Sequence, residues 1–320
     1  MKAQLQSRPG WLQRALKQNP ADLAAHLFTW AFAAGILVVA VLLVYELYAA
    51  SSLSRKEFGW SFLLSSEWDP VQDKFGALPF IYGTVVTSVL ALLLAAPVGV
   101  AAAIFLSELA PPKISDSLTF VVELLAAVPS VIYGLLAIFT MVPLLREVIQ
   151  PFLQKHFGYL PFFQGPMYGV GLLAASLVLA VMILPYIVSI SREALLAVPP
   201  EQREAALAVG ATRWEAAWQV VTPYAGLGIA GSIFLALARA LGETMAVTMV
   251  IGNAPNISAS LFESGYSIAA VIANEFTEAT GEMHLSALIQ LGLVLFGITI
   301  IMNAIARIML AATSRKGQTR

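Results

Sequence analysis

The chain reads as an all-α polytopic membrane protein with six transmembrane helices, and three observations predict it. Hydrophobic residues make up 59% of the sequence and charged residues only 12%, against about 25% charged in a typical soluble domain. Six apolar stretches are each long enough to cross a bilayer, which takes about 20 residues of helix. Lysine and arginine are also shared unequally between the two sets of connections that six crossings create.

The expected spans cover about 27–48, 80–108, 118–145, 168–190, 225–252 and 285–311, within a membrane body of 27–311. Each is expected to be helical, because backbone donors and acceptors in hydrocarbon must be satisfied within the segment. Tails of 1–26 and 312–320 flank this body. The first carries Lys2, Arg8, Arg14 and Lys17 ahead of a long apolar run with no A-x-A-like site. It is therefore read as leading into a retained anchor and not a cleaved signal peptide.

If the N-terminus is cytoplasmic, the inner segments hold those four residues with Lys113, Arg192, Arg203, Arg213, Arg307, Arg315, Lys316 and Arg320. The outer segments hold Arg55, Lys56, Lys74, Arg146 and Lys155, and the 253–284 loop holds none while carrying Glu263, Glu275, Glu278 and Glu282. Twelve against five places both termini on the cytoplasmic side by the positive-inside rule. The 49–79 and 253–284 segments then face outwards.

Pro97, Pro129, Pro143 and Pro185 fall within or near the ends of the second, third and fourth spans. Each removes an intrahelical hydrogen bond and invites a kink, either merely tolerated or used to shape a pathway. Gly226, Gly228 and Gly231 open the fifth span, where small residues permit close helix approach. No clear internal repeat is present, which weighs against an inverted-repeat carrier.

Two features carry functional information. The first lies on the cytoplasmic side between the fourth and fifth spans: Pro199-Pro200-Glu201, then Arg203-Glu204-Ala205-Ala206-Leu207-Ala208-Val209-Gly210. Proline suits the first helical position and an early glutamate complements the dipole. Alanine favours the helix, and Gly210 is a natural stop. An amphipathic piece with Trp214, Ala217, Trp218 and Val221 leads to Pro223, and its tryptophans suit a membrane–water interface. The bland alternative is an interfacial hairpin that only connects two spans.

The second feature is Arg239 and Glu243 inside the fifth span. Arg239 lies about 21 Å along a helix from Ala225, where an ionised side chain costs at least about 2.5–3.5 kcal/mol. Four residues apart, the two can pair on one helix face. They are either a structural ion pair or part of an anion pathway, since guanidinium offers two parallel hydrogen bonds to a tetra-oxyanion. Glu123, near the start of the third span, is read as reaching the cytoplasmic surface.

Several chemistries have no visible residues. There is no cysteine, which removes disulfides and thiolate chemistry. No G-x-x-x-x-G-K-[ST], H-E-x-x-H or G-x-S-x-G occurs, so Walker A hydrolysis of ATP and the corresponding hydrolase sites are not expected here. His26, His156 and His284 are scattered, and no metal or catalytic site is expected. A net charge of −1 without a basic cluster gives no reason to expect nucleic acid.

The Glu204-Ala205-Ala206-x-x-x-Gly210 … Pro223 spacing resembles the cytoplasmic EAA loop of ABC-importer permeases, the element that fits into a groove on the ATPase subunit. General EAA loops end Ile-x-Leu-Pro, where this chain has Val220 and Thr222 at the apolar positions. From about residue 58 to 311 the chain resembles the PstC-type permease subunits of bacterial phosphate ABC importers. The likeness rests on Glu67-Trp68-Asp69-Pro70 and Phe75-Gly76-Ala77-Leu78-Pro79-Phe80-Ile81-Tyr82-Gly83-Thr84. It continues in Val122-Glu123-Leu124-Leu125-Ala126-Ala127-Val128-Pro129-Ser130-Val131-Ile132-Tyr133-Gly134 and in Arg239-Ala240-Leu241-Gly242-Glu243-Thr244-Met245-Ala246-Val247.

This resemblance implies a type I ABC importer in the bacterial inner membrane. A second, PstA-type permease would complete the pathway, and two PstB-type ATPases using ATP and Mg would bind inside. A PstS-type phosphate-binding protein would deliver substrate outside. Phosphate comes from the resemblance; residue chemistry alone says anion. Another oxyanion and a stand-alone ion-coupled carrier remain the alternatives, and a membrane scaffold or phosphate sensor would bind partners without flux.

Overall fold

A computed structural model describes residues 20–317. The tail residues Lys2, Arg8, Arg14, Lys17 and Arg320 lie outside the described residues. The chain forms two units, Met1–Ala50 and Ser51–Arg320. In the first, α1 (Pro20–Ala50) is one long apolar helix.

The second unit begins with two short helices, α2 (Ser52–Phe58) and α3 (Ser61–Leu64). They lead to a hairpin of β1 (Trp68–Asp69) and β2 (Lys74–Phe75), paired antiparallel with Trp68 opposite Phe75. The Asp69 carboxylate accepts from the Val71 and Gln72 amides at 2.9 and 3.2 Å, which closes the turn. The spanning helices follow: α4 (Leu78–Leu109), α6 (Ser130–Phe157) and α7 (Leu172–Leu196). Between α4 and α6 lies α5 (Pro112–Ala127).

Next come α8 (Pro200–Ala208), the rod α9 (Arg213–Tyr224), and α10 (Gly226–Leu241), which meets α9 at 70°. Short α11 (Met245–Thr248) and α12 (Ile268–Glu275) precede the last helix, α13 (Glu282–Gly317). Among the described residues, five helices are individually long and apolar enough to cross a membrane, and six if the bent α9–α10 pair counts as one span.

Two expected spans differ from what the chain forms. The third, expected at 118–145, is not continuous: α5 ends at Ala127 and α6 starts at Ser130. Pro129 has no N–H to donate and forces Val128 out of the helical region, to φ −65° and ψ 128°. The long apolar helix is instead Ser130–Phe157. The fifth, expected at 225–252, stops at Leu241 and resumes only as the single turn of α11. Pro97 and Pro185, by contrast, sit inside unbroken helices.

Helix α7 is the centre of the unit, with two thirds of its most apolar window buried. It packs on α4 and α10, and Gly99 allows the close approach to α4, since a methyl there would meet Ile187 Cγ2 at 2.7 Å. Of the three glycines opening α10, only Gly228 lies against a neighbour, Ala194; Gly226 and Gly231 face open space. The 253–284 loop is part of the packing and not a loose connector. Its Glu263 and Leu261 carbonyls accept from the Leu172 and Leu173 amides at 3.1 and 2.8 Å, satisfying donors that the start of α7 would otherwise leave unpaired. The same loop and the 49–79 segment close a second core around Phe62, Phe75, Phe80, Tyr266 and Leu288.

Candidate functional site

The segment after α7 folds into two helices that cap themselves. Pro199 and Pro200 open α8. At its end the Gly210 amide donates to the Leu207 carbonyl at 3.0 Å and the Ala211 amide to Ala206 at 3.2 Å. This is the Schellman pattern, and Gly210 supplies its left-handed residue at φ 92°. Thr212 then opens α9 with a reciprocal capping box. The Glu215 amide donates to Thr212 Oγ1 at 3.3 Å, and the Thr212 amide donates to Glu215 Oε2 at 2.8 Å. The T-x-x-E spacing of residues 212–215 carries that signal in the sequence.

Along α8, Glu204, Ala205 and Gly210 are exposed while Ala206 is buried. Trp214 and Trp218 stack with ring centroids 6.0 Å apart and planes 10° apart, both more than half exposed. Pro223 lies inside the α9 rod and does not end it; a π-helical turn at Ala217–Val221 precedes it. Among the described residues, the surface formed by Glu204, Ala205, Leu207, Trp214 and Trp218 is thus left exposed.

What holds α8 in place is a contact that sequence spacing does not disclose. Arg203 reaches Glu108, at the end of α4, through two hydrogen bonds of 2.9 and 2.7 Å. The same guanidinium donates to the Val198 and Leu195 carbonyls at 2.6 and 2.7 Å. The hydrogen-bonded Glu108 carboxylate pushes the Arg203 pKa up, against the opposing effect of burial.

Inside the membrane body, Arg239 and Glu243 do not pair. Arg239 lies in the last turn of α10, where the negative end of the helix dipole favours a cation. Its guanidinium lies over the Tyr186 ring with Cζ 4.2 Å from the centroid, and its Nε is buried without a hydrogen-bond partner among the described residues. Past the break at Gly242, Glu243 accepts from the Ala246 amide at 3.3 Å, at the start of α11. The expected pairing fails because the helix ends between the two residues, and their spacing of four no longer shares a face.

The break in the expected third span lies beside Arg239. Tyr186 Oη donates to the Ala126 carbonyl at 3.1 Å and Tyr133 Oη to the Leu125 carbonyl at 2.7 Å. Both carbonyls belong to the last turn of α5, where the helical ladder runs out; the Leu125 carbonyl also accepts from the Val128 amide at 3.3 Å. Gly134 on α6 lies against Ala246 of α11 and Met249 just beyond it, so the two breaks adjoin. Glu123 is exposed on α5, outside the long spanning helix.

The sequence profile of the binding-protein-dependent transport system inner membrane components matches residues 95–315. The chain belongs to that family. Within it, a phosphate transport system permease protein of Mesorhizobium japonicum is 48% identical over 293 residues, covering 90% of each chain. A protein of the same description from Xylella fastidiosa is 45% identical over 314 residues, 97% of this chain and 96% of its own. A probable one from Methanocaldococcus jannaschii is 36% identical over 280 residues, 86% and 88% of the two chains.

Solved structures share the family's fold. A chain of a bacterial alginate ABC transporter, in complex with an alginate-bound periplasmic protein, superposes with a TM-score of 0.57 at 15% identity, covering 90% of this chain and 96% of that one. A chain of the MetNI methionine ABC transporter, in an inward-facing conformation, gives 0.54 at 17% identity over 73% and 94%.

Proposed function

We propose that this chain is a permease subunit of an ATP-driven ABC importer and that, with a second, PstA-type permease, it forms the transmembrane pathway for inorganic phosphate. The observation that carries this reading is identity of 45–48% along 90% or more of both chains to proteins named as phosphate permeases. Two PstB-type ATPases hydrolyse ATP with Mg on the cytoplasmic side, and a PstS-type binding protein delivers phosphate from outside. This chain contributes no nucleotide chemistry of its own.

The geometry supplies a division of labour consistent with that role. Helices α8 and α9 offer the ATPase a self-capped, exposed surface centred on Glu204, Ala205 and Gly210. Arg239 offers the anion a guanidinium held by one face. The Tyr186 ring, 4.2 Å from Cζ, covers the guanidinium without using its N–H donors. A phosphate oxygen pair meets two such donors, while Glu243, tied to the start of α11, stays close enough in sequence to balance charge between transport events.

The protein resides in the inner membrane with both termini cytoplasmic. Co-purification of this chain with its partner permease, the ATPases and the binding protein, followed by phosphate-dependent ATP hydrolysis in liposomes, tests the assignment. Phosphate uptake by this chain without any ATPase would show a stand-alone carrier instead. A cysteine at Glu201 labelled by an impermeant reagent only from outside would invert the orientation. For the outer face, cross-linkers along 49–79 and 253–284 should capture the binding protein.

A further inference from the structure

We infer that Arg203 is the mechanical link that makes α8 move as one body with the inner ends of α4 and α7; the inference rests on α8 being the ATPase-docking helix. Arg203 is one residue before the exposed Glu204, yet its side chain turns away from the docking surface. Four N–H bonds leave the guanidinium: two to the Glu108 carboxylate at 2.9 and 2.7 Å, one to Val198 and one to Leu195. Since an arginine has five such donors in a rigid plane, nearly its whole capacity is spent on fixing three elements to one another.

The partners explain why the joint is stiff. Leu195 lies in the last turn of α7 and Val198 just beyond it, so Arg203 clamps carbonyls at the helix end, that of Leu195 in addition to the Val198 amide it already accepts at 3.2 Å. Glu108 lies in the π-helical final turn of α4, and only 8% of its side chain is exposed. A carboxylate so withdrawn from water has no comparable alternative to Arg203, and removing one member of such a pair leaves the other's charge uncompensated. Beneath the pair, Ala103 and Ile104 of α4, Leu195 and Val198, Ala217 and Val221 of α9, and Ile229 of α10 form one buried apolar cluster. A push on α8 cannot slide over this seat without breaking all four hydrogen bonds, so it is passed to α4 and α7 together.

Arg203 is therefore a positioning residue that acts on phosphate movement through the helices it joins. The test compares Arg203→Lys, Arg203→Gln and Glu108→Gln in the complete importer, reconstituted with its binding protein. Lysine keeps the charge but loses the fork, and glutamine at 108 turns one acceptor into a donor facing a donor. The readouts are ATPase retention on purification, melting temperature, and phosphate moved per ATP hydrolysed. The link predicts that ATPases remain bound and hydrolyse ATP, while phosphate per ATP falls about fivefold or more. Glu108→Gln, the gentlest change, decides if an Arg203 variant fails to fold.

A lower melting temperature with a native phosphate-to-ATP ratio would show a purely structural pair and overturn the link. Loss of the ATPases from a folded Glu108→Gln permease would overturn it too, by showing that the pair only shapes the docking surface. If the unaltered importer itself shows no phosphate-dependent hydrolysis, the functional reading beneath the inference fails, and that result is separable because it needs no variant.

Discussion

The helices that offer the docking surface and the broken helices around Arg239 are built on opposite principles. Along α8 and α9 the caps are made by residues at most five apart: Gly210 with Leu207, Ala211 with Ala206, Thr212 with Glu215. Around Arg239 the contacts cross the fold, as in the Tyr186 hydroxyl on the Ala126 carbonyl, 60 residues away. In the first region the helix ends are closed locally, and only the placement of α8 depends on a distant partner, Glu108. The second takes its shape only from the packing of α5, α6, α7, α10 and α11, so a change there is felt at several helix ends at once.

The largest expected effect follows from that contrast. Arg239→Leu removes the guanidinium held at the end of α10, and phosphate uptake should fall about 100-fold or more while the importer still assembles. Arg239→Lys should recover only part of this, because an ammonium lacks the bidentate fork. Uptake of labelled phosphate into liposomes measures both. Near-native uptake by Arg239→Leu would break the comparison, leaving the interior contacts as architecture alone.

Gly210→Val comes next and strikes the self-capped region. Nothing lies within 4 Å of a methyl placed there, so the penalty is purely conformational. At φ 92° an L residue pays about 1–2 kcal/mol, and a β-branched one more. The variant should insert normally but lose ATPase subunits on purification, and Gly210→Asn should be milder. A variant that keeps its ATPases and full transport would show that the Schellman turn is dispensable for docking.

How far each region was legible in the sequence follows the same division. Pro200, Gly210 and the alanine run act within a few residues, so α8 could be drawn from spacing alone. The apolar runs fixed the existence of the long helices in the same way, and 172–196 was anticipated to within a few residues. The failures are at interruptions. Pro129 was treated as a kink and is a full break, because the two tyrosines that make the break tolerable come from α6 and α7. The spacing of Arg239 and Glu243 predicts a helical pair, but α10, packed on α7, ends at Leu241, and no local spacing reports that. Arg203 with Glu108 was missed for the same reason: 95 residues separate them.

A smaller effect is expected at Thr212. Thr212→Ala deletes the side-chain half of the capping box and should lower stability by about 1 kcal/mol, seen as a modest drop in melting temperature. Because Glu215 can still accept from the residue 212 amide, ATPase docking should persist with slightly slowed transport. A loss as severe as that of Gly210→Val would show that α9, and not α8, governs docking.

The smallest expected number is the most discriminating between the two regions. If Arg239 and Glu243 were an ion pair, a double-mutant cycle on melting would give a coupling of 0.5–3 kcal/mol. Each instead holds its own helix end: Arg239 the C-terminal turn of α10 over Tyr186, and Glu243 the first turn of α11 through Ala246. Arg239→Met, Glu243→Leu and the two combined should therefore give stability changes that add to within about 0.5 kcal/mol. Uptake should behave differently, because the double variant still lacks the guanidinium and stays as inactive as Arg239→Met alone. Near-additive stability with lost transport separates the roles of the two residues. Strong coupling in stability would restore the ion pair, and normal uptake by the double variant would remove Arg239 from the pathway.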